Sequence, residues 1–296
     1  MSPDPSSEAT IQGLDHLGII NRELEATAEA YERMGFQLTP WSRHAGSPRG
    51  GEPPVLMGTA NRCAMFAGGY LELVGVIDPG LPTYGMFELS QRYRGAHIVA
   101  FACDDAPGNQ RRLEQAGFAG LFVNLLQREI ETETSAGKLV FHLIRVPPEV
   151  MAEGGLRVIE HGTPALMWQP PWLVHPNGAE ALDEVLFCVA DRDEAAARFT
   201  RFLGHPAGSA RADGSVSVSL PRGRLSLVAR EDVGRAVPGH EAPAVPSVVA
   251  MTVRVADLVR CRSLLRANGV THQEVEGRLL VPAQAGCGLA VFFQGP

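Results

Sequence analysis

The chain repeats one short pattern four times, and this repetition constrains its fold more than any other feature. Each copy has a strand-like stretch of alternating apolar residues, a helical stretch with apolar residues three or four apart, and then further strands. The strand and helix of the four copies span residues 14–39, 96–118, 182–204 and 247–270. We therefore predict an α+β protein of four βαβββ modules, arranged as two pairs.

Two domains follow from this pairing. In the first module, the helix through Leu24, Ala28 and Tyr31 should end at Gly35, since glycine is the usual residue after a helix C-terminus. We expect an N-terminal domain at 11–165 and a C-terminal domain at 181–296. The stretch between them, 166–180, is rich in Pro and Trp and is expected to be an ordered linker.

Composition excludes several classes of function. The net charge of −7 and the absence of a basic cluster disfavour a nucleic-acid partner. No run approaches the roughly 18 apolar residues of a membrane span, and the polar N-terminus has no signal-peptide pattern, so we expect a cytoplasmic location. The five cysteines include no Cys-x-x-Cys pair, which disfavours a disulfide framework or a thiolate zinc site. Lys138, the only lysine, lies in an apparent turn, which disfavours Schiff-base chemistry.

Four segments give the chain a specific resemblance to a known superfamily. They are Gly58-Thr-Ala-Asn-Arg-Cys63, Gly69-Tyr-Leu-Glu-Leu-Val74, Glu160-His-Gly-Thr-Pro164 and His175-Pro-Asn-Gly-Ala179. With the repeated βαβββ order, they resemble the vicinal oxygen chelate superfamily and, more narrowly, its glyoxalase-like domain proteins. The resemblance implies the glyoxalase/bleomycin resistance/extradiol dioxygenase fold, in which paired modules form a cup around a metal ion. Because members differ in reaction, the fold does not fix the chemistry.

Two histidines and two glutamates stand at matching places in the first two modules. His16 and His97 lie in the first strands, and Glu72 and Glu160 lie in the last strands among apolar residues. A carboxylate is rarely buried without a partner, so the glutamates must meet solvent, an arginine or a cation. Together the four suit one divalent ion such as Zn, Ni, Co, Mn or Fe(II). The alternative is a set of salt-bridged structural residues.

The C-terminal half serves as an internal comparison. Alignment of the modules places Glu184, Ser226, Val249 and Phe293 at the positions of His16, Glu72, His97 and Glu160. Valine and phenylalanine cannot bind a metal, so the polar set of the first half resembles a site rather than a requirement of the fold. We expect one metal site per chain, and a C-terminal domain that covers the site or forms a homodimer.

The fourth ligand depends on strand register. Glu160 is followed by His161, and neighbouring residues of a strand point to opposite faces, so a shift of one residue exchanges them. Glu160 is favoured because its register matches that of Glu72 in the family pattern. Asn61, Arg62, His161 and Trp168 are the candidate substrate-binding residues, although Arg62 equally suits an inter-strand salt bridge and Trp168 a structural role.

The sequence therefore predicts a metal-dependent enzyme of the isomerase, epimerase or lyase type. Its substrate would be a small molecule with two neighbouring oxygens, whose developing negative charge the metal stabilises. Glu160 or Glu72 would carry the proton. One alternative is an Fe(II) ring-cleavage dioxygenase of the extradiol type, which uses two histidines and one carboxylate, so the fourth ligand Glu72 counts against it. The other is a protein that binds a drug or aromatic compound without reaction.

Overall fold

A computed structural model describes residues 10–46, 55–83, 85–131 and 136–296. In these ranges the four modules form two β-sheets, one from each half of the chain. The predicted α+β fold of paired modules is confirmed. The third module departs from the βαβββ pattern, because only two strands follow its helix and Ala207 makes a single bridge to Val218 instead.

The first sheet contains eight strands in the order β2-β3-β4-β1-β5-β8-β7-β6. The first module supplies β1 (Ile11–Asn21), α1 (Leu24–Arg33), β2 (Ser42–Gly46), β3 (Val55–Phe66) and β4 (Gly69–Val76). After α2 (Met86–Arg92), the second module supplies β5 (Gly95–Cys103), α3 (Ala106–Gln115), β6 (Val123–Glu131), β7 (Ala136–Val146) and β8 (Leu156–His161). The short helix α4 (Pro164–Met167) and a 3-10 turn at Pro170–Leu173 follow.

The second sheet contains seven strands in the order β10-β11-β9-β12-β15-β14-β13. The third module supplies β9 (Ala179–Val189), α5 (Arg192–Leu203), β10 (Val216–Ser219) and β11 (Arg224–Ala229). A 3-10 turn at Arg230–Asp232 and α6 (Val233–Ala236) precede the fourth module. That module supplies β12 (Ser247–Val255), α7 (Leu258–Ala267), β13 (Gln273–Val275), β14 (Arg278–Val281) and β15 (Ala290–Gln294).

The helices of the modules pack between the two sheets and share one core. Leu24 and Tyr31 of α1 bury against the first sheet, and the Tyr31 hydroxyl donates a hydrogen bond to the Gly286 carbonyl of the second half at 3.4 Å. The Phe101 and Phe202 rings meet across the halves at 6.0 Å. As predicted, a glycine follows α1: Gly35 has φ +86°, a left-handed conformation that favours glycine.

The face of the first sheet that points away from this core is called the outer face. Met86 of α2 covers one end of it, where Ile20, Val74 and Ile98 cluster. Residues 164–173 cover another end, because Trp168 and Trp172 pack against Met65 and Tyr70. A polar region remains between these covers. No helix in the described part of the chain is both long and apolar enough to cross a membrane.

Candidate functional site

A row of directly paired residues crosses the outer face and fixes which side chains meet there. It runs through Tyr70 of β4, His16 of β1, Ala100 of β5, Arg157 of β8 and Arg145 of β7. Residues directly opposite each other on neighbouring strands share a face, and the His16 and Tyr70 rings stack at 4.5 Å. We call this set the central row.

Asp15 is the extra residue of a β-bulge between the pairs of Leu14 and His16 with β5. The bulge places its carboxylate against two imidazoles at once. Asp15 Oδ1 lies 2.7 Å from Nδ1 of His16, and Asp15 Oδ2 lies 2.8 Å from Nε2 of His161. Burial raises the pKa of Asp15, but the hydrogen bonds with His16 and His161 outweigh it and lower the pKa to about 2. Asp15 is therefore a buried, ionised carboxylate that orients both rings.

Glu72 lies on the outer face beside this cluster. Asn61 Nδ2 donates a hydrogen bond to Glu72 Oε1 at 2.7 Å, and Nε2 of His44 lies 3.8 Å from the same oxygen. Burial raises the pKa of Glu72, while the charges of His16, His44 and Arg157 act together to lower it below its usual value. Glu72 is thus an ionised carboxylate on the same face as His16, and Asn61 contacts it directly.

The register of β8 places His161, not Glu160, on the outer face. Glu160 points to the side of the helices, as Val158 does, and its Oε2 accepts a hydrogen bond from the Ala106 backbone N–H at 2.8 Å. This oxygen satisfies the first N–H of α3, which has no partner within the helix. His161 instead shares its side with Arg157 and contacts Asp15. The expectation that Glu160 joins His16 and Glu72 is corrected, and the alternative residue His161 takes that place.

His97 does not reach the other predicted ligands either. It is the extra residue of a second bulge, between the pairs Gly18–Ile98 and Ile19–Ala96. Its ring stacks on Tyr93 at 4.0 Å, and its Nε2 donates to the Tyr93 carbonyl at 2.9 Å. Burial lowers the pKa of His97 to about 4, so the ring is neutral near pH 7. The structure therefore does not bring His16, Glu72, His97 and Glu160 together.

The predicted substrate-binding residues divide between the two faces. Asn61, His161 and Trp168 border the outer face, where the Trp168 and His161 rings meet at 4.6 Å. Arg62 alternates with Asn61 along β3 and so points to the helices, where its Nη2 pairs with Glu32 Oε1 at 2.8 Å. Arg62 therefore forms a salt bridge, but with α1 instead of a neighbouring strand, and it does not border the outer face.

The sequence patterns did not indicate that Asp15 and Arg157 belong to the outer face. Arg157 stands in the apolar strand Leu-Arg-Val-Ile, four residues before His161, and the argument that singled out Glu72 applies to it equally. Asp15 gave a weaker signal. Simple alternation places it on the face opposite His16, and only the bulge brings the two side chains together.

The second sheet tests the alignment between the halves. Glu184 pairs with Arg224 as His16 pairs with Tyr70, so Glu184 does occupy the position of His16. Thr252 pairs with Phe292 in the second sheet as Ala100 pairs with Arg157 in the first, so Phe292 corresponds to Arg157. Phe293 therefore corresponds to Val158, and its predicted match to Glu160 is corrected by two residues.

Glu184 is a buried carboxylate that pairs with two partly exposed arginines. It accepts hydrogen bonds from Arg211 Nη2 at 2.8 Å, from Arg224 Nη2 at 2.6 Å and from the Ser226 hydroxyl. Its carboxylate is thereby satisfied within the protein. The second sheet thus has a different polar cluster at the equivalent place, not a second copy of the first.

The fold family implies a divalent metal, and the donors of the outer face fit one in type. No three Asp, Glu, His or Cys side chains of the described residues are grouped so that they could hold an ion as they stand. However, His16 and His161 each use one ring nitrogen for Asp15, as metal-bound imidazoles commonly do with a carboxylate. Nδ1 of His161 is buried and, among the described residues, has no hydrogen-bond partner. Glu72 adds a carboxylate on the same face.

Solved structures of known proteins share this architecture. A hypothetical protein from Staphylococcus aureus is 11% identical, with 97% of this chain and 100% of that chain covered and a TM-score of 0.60. A mutant of 4-hydroxymandelate synthase from Streptomyces coelicolor is 14% identical, with coverages of 97% and 93% and a TM-score of 0.62. The Mn(II)-bound glyoxalase from Novosphingobium aromaticivorans is 11% identical, with coverages of 97% and 83% and a TM-score of 0.54. At these identities the likeness concerns the fold alone.

The family follows from the sequence. The search of curated proteins gave no match. The family model described as a glyoxalase-like domain matches residues 14–203, which include all of the first sheet except the first three residues of β1, and the first helix of the second half. The chain is therefore a glyoxalase-like domain protein of the vicinal oxygen chelate superfamily.

Proposed function

We propose that the outer face of the first sheet is the active site of a metal-dependent enzyme. His16, His161 and Glu72 would hold one divalent ion, and the substrate would be a small molecule with two neighbouring oxygens. Such an ion stabilises negative charge on a substrate oxygen. The reaction class that this supports is proton transfer next to a carbonyl, as in an isomerase, epimerase or lyase.

One observation carries the proposal: a single buried carboxylate orients two imidazoles, one from the first strand of the first sheet along the chain, β1, and one from the last, β8. Asp15 contacts Nδ1 of His16 and Nε2 of His161, which leaves Nε2 of His16 and Nδ1 of His161 for another partner. An ionised carboxylate in a buried place costs several kcal/mol unless it is well satisfied. Two histidines that only packed in a core would not need a shared anion between them.

Glu72 is the candidate proton carrier. Its Oε1 accepts the hydrogen bond from Asn61, and no hydrogen bond to Oε2 occurs within the described ranges. The lowered pKa keeps the carboxylate ionised near pH 7, so it can accept a proton. Asn61 fixes the orientation of the group, and the bordering Trp168 limits access of water from one side.

A proton-exchange assay tests this function. The full chain, reconstituted with Mn(II), Ni(II) or Zn(II), is incubated in D₂O with α-hydroxyketones and 2-oxo acids, and deuterium uptake next to the carbonyl is followed by NMR. We expect uptake that needs the metal and that falls at least about 100-fold in Glu72→Gln, the range of general-base contributions. Asn124→Asp, a change on β6 outside the site, is the matched control. Absence of uptake with every metal and compound would contradict the proton-transfer reaction.

A dioxygenase is the second candidate. With His97 and Glu160 elsewhere, the proposed ligands His16, His161 and Glu72 are two imidazoles and one carboxylate, the set typical of non-haem Fe(II) oxygenases. Glu72 counts against this class only as the fourth ligand of a larger set, and the proposed set has three. Oxygen uptake by the Fe(II)-loaded chain with catechols, measured at an electrode, would favour this reaction over proton transfer.

A further inference from the structure

Arg157 is a charged side chain on the outer face that the proposed reaction does not use. It lies in the central row, between Ala100 of β5 and Arg145 of β7, and is only partly exposed. Its guanidinium forms no hydrogen bond or ion pair with any residue in the described ranges, and its nearest charged neighbours include a second arginine. Burial and Arg145 lower the pKa of Arg157 to about 10, against the weaker opposing effect of Glu72.

Several other partly buried arginines in the described ranges have a carboxylate partner, and Arg112 instead donates to Asn109 and to two backbone carbonyls. Short ion pairs join Arg62 to Glu32, Arg198 to Glu153 and Arg224 to Glu184. Leaving a guanidinium without such a partner costs free energy, because the group loses part of its hydration and gains no counter-charge. A methionine or leucine would fill the same place on β8 without this cost. Among the described residues, the fold therefore provides no direct partner for the charge of Arg157.

Arg157 is close to the proposed active site. Only β5 separates it from His16, so the two backbones are about 10 Å apart at the usual strand spacing of ~4.8 Å. The residue between them is Ala100, whose side chain is only a methyl group. Glu72 and Tyr70 are near enough to affect the pKa of Arg157. A small molecule on this face could thus contact His16 at one end and Arg157 at the other.

We propose that Arg157 binds a carboxylate group of the small molecule that occupies the outer face. A guanidinium presents a planar fork of N–H donors that matches the two oxygens of a carboxylate. The added negative charge would also offset the repulsion between Arg157 and Arg145. The substrate class is then an organic acid that carries a second pair of oxygens, such as a 2-oxo or 2-hydroxy acid. The proposal relies on the proposed function only for naming the bound molecule as the substrate.

Binding of acids and their neutral esters tests the proposal without any reaction. Pyruvate, 2-oxoglutarate and benzoylformate, each beside its methyl ester, are titrated into the metal-free full chain by calorimetry. We expect at least one acid to bind at least 10-fold more tightly than its ester. Arg157→Met should remove that preference, and Arg157→Lys, which keeps the charge but not the fork, should retain part of it. Arg62→Met is the matched control, because Arg62 lies on the opposite face.

The outcomes separate this proposal from the metal-dependent reaction. If no acid binds better than its ester, or if Arg157→Met binds the acid as tightly as the natural chain while circular dichroism shows it folded, the role of Arg157 is wrong. Should Arg157→Met fail to fold, an unchanged acid preference in Arg157→Lys overturns the role of the guanidinium fork. Acid binding that depends on Arg157, in a protein that takes up no Mn(II), Ni(II) or Zn(II) when these ions are added, would support this inference and overturn the proposed function.

Discussion

Asp15 Oδ2 and Nε2 of His161 lie 2.8 Å apart although the two residues are 146 positions apart in the chain. The contact joins the first strand of the first module to the last strand of the second. Because Asp15 also contacts His16, one carboxylate links the two imidazoles that we assign to the site. The assembly of this site therefore depends on both modules of the first sheet.

Replacing Asp15 should weaken metal binding although it removes none of the proposed ligands. Asp15→Asn takes away the negative charge that orients His16 and His161, and loss of such a partner typically lowers metal affinity 10–100-fold. The dissociation constant for Zn(II), measured by competition with a chelator, checks this. Asp183→Asn is the control, since Asp183 is the bulge residue of β9 just before Glu184. Equal affinity in Asp15→Asn and the natural chain would show that Asp15 does not support the ligands.

Glu72→Gln should lower both metal retention and deuterium uptake. The amide keeps the shape of the side chain but cannot carry the charge or accept the proton. Its counterpart by strand register is Ser226, which pairs with Leu186 as Glu72 pairs with Gly18. Ser226→Ala should leave metal content unchanged. A Glu72→Gln chain with full metal and full uptake would exclude Glu72 from both roles.

The ion pairs of Glu184 should make stability depend on pH. Burial raises the pKa of Glu184, but Arg224, Arg211 and Ser226 outweigh it and lower the pKa from 4.5 to about 2. The ionised form therefore stabilises the folded state fully above pH 4.5, and this contribution is lost as the pH falls towards 2. It amounts to about 1–3 kcal/mol, with part screened because both arginines are one-third exposed.

Urea unfolding of the natural chain and of Glu184→Gln, at pH 7 and at pH 3, measures this effect. The difference in the free energy of unfolding should be largest at pH 7 and smaller at pH 3. A difference that stays constant would mean that the carboxylate charge contributes nothing. Metal content should be the same in both chains at pH 7, since Glu184 belongs to the other sheet.

The sequence predicts the fold well because the signals of strand and helix repeat four times. The positions of His16 and Glu72 on one face also follow from simple alternation in strands beside apolar neighbours. Gly35 marks the end of α1 as expected, because its φ of +86° is rarely adopted by other residues. These features depend on local residue order, which the sequence displays directly.

The rest of the site depends on bulges and register. A bulge at Asp15 and another at His97 shift each side chain away from the place that alternation assigns. β1 and β9 are the first strands of the two halves. Each has Leu-Asp directly before the residue compared between the halves, His16 in β1 and Glu184 in β9, and each bulges at that aspartate. A bulged strand and a regular strand can have the same residue order, so alternation alone predicts regular pairing at both aspartates. For Glu160 and His161, a shift of the strand register by one residue decides which of the two side chains points to the outer face.

Metal content of four single variants tests the central claim most directly. After reconstitution with Zn(II) and removal of loose ions, elemental analysis should find about one ion per natural chain, since one half supplies the donors. His16→Ala and His161→Ala should lose most of it, whereas His97→Ala and Glu160→Ala should keep it. The last two side chains contact Tyr93 and the first turn of α3 instead of the site. Comparable metal loss in His97→Ala and His161→Ala, at equal folded fraction, would contradict the assignment of the ligands.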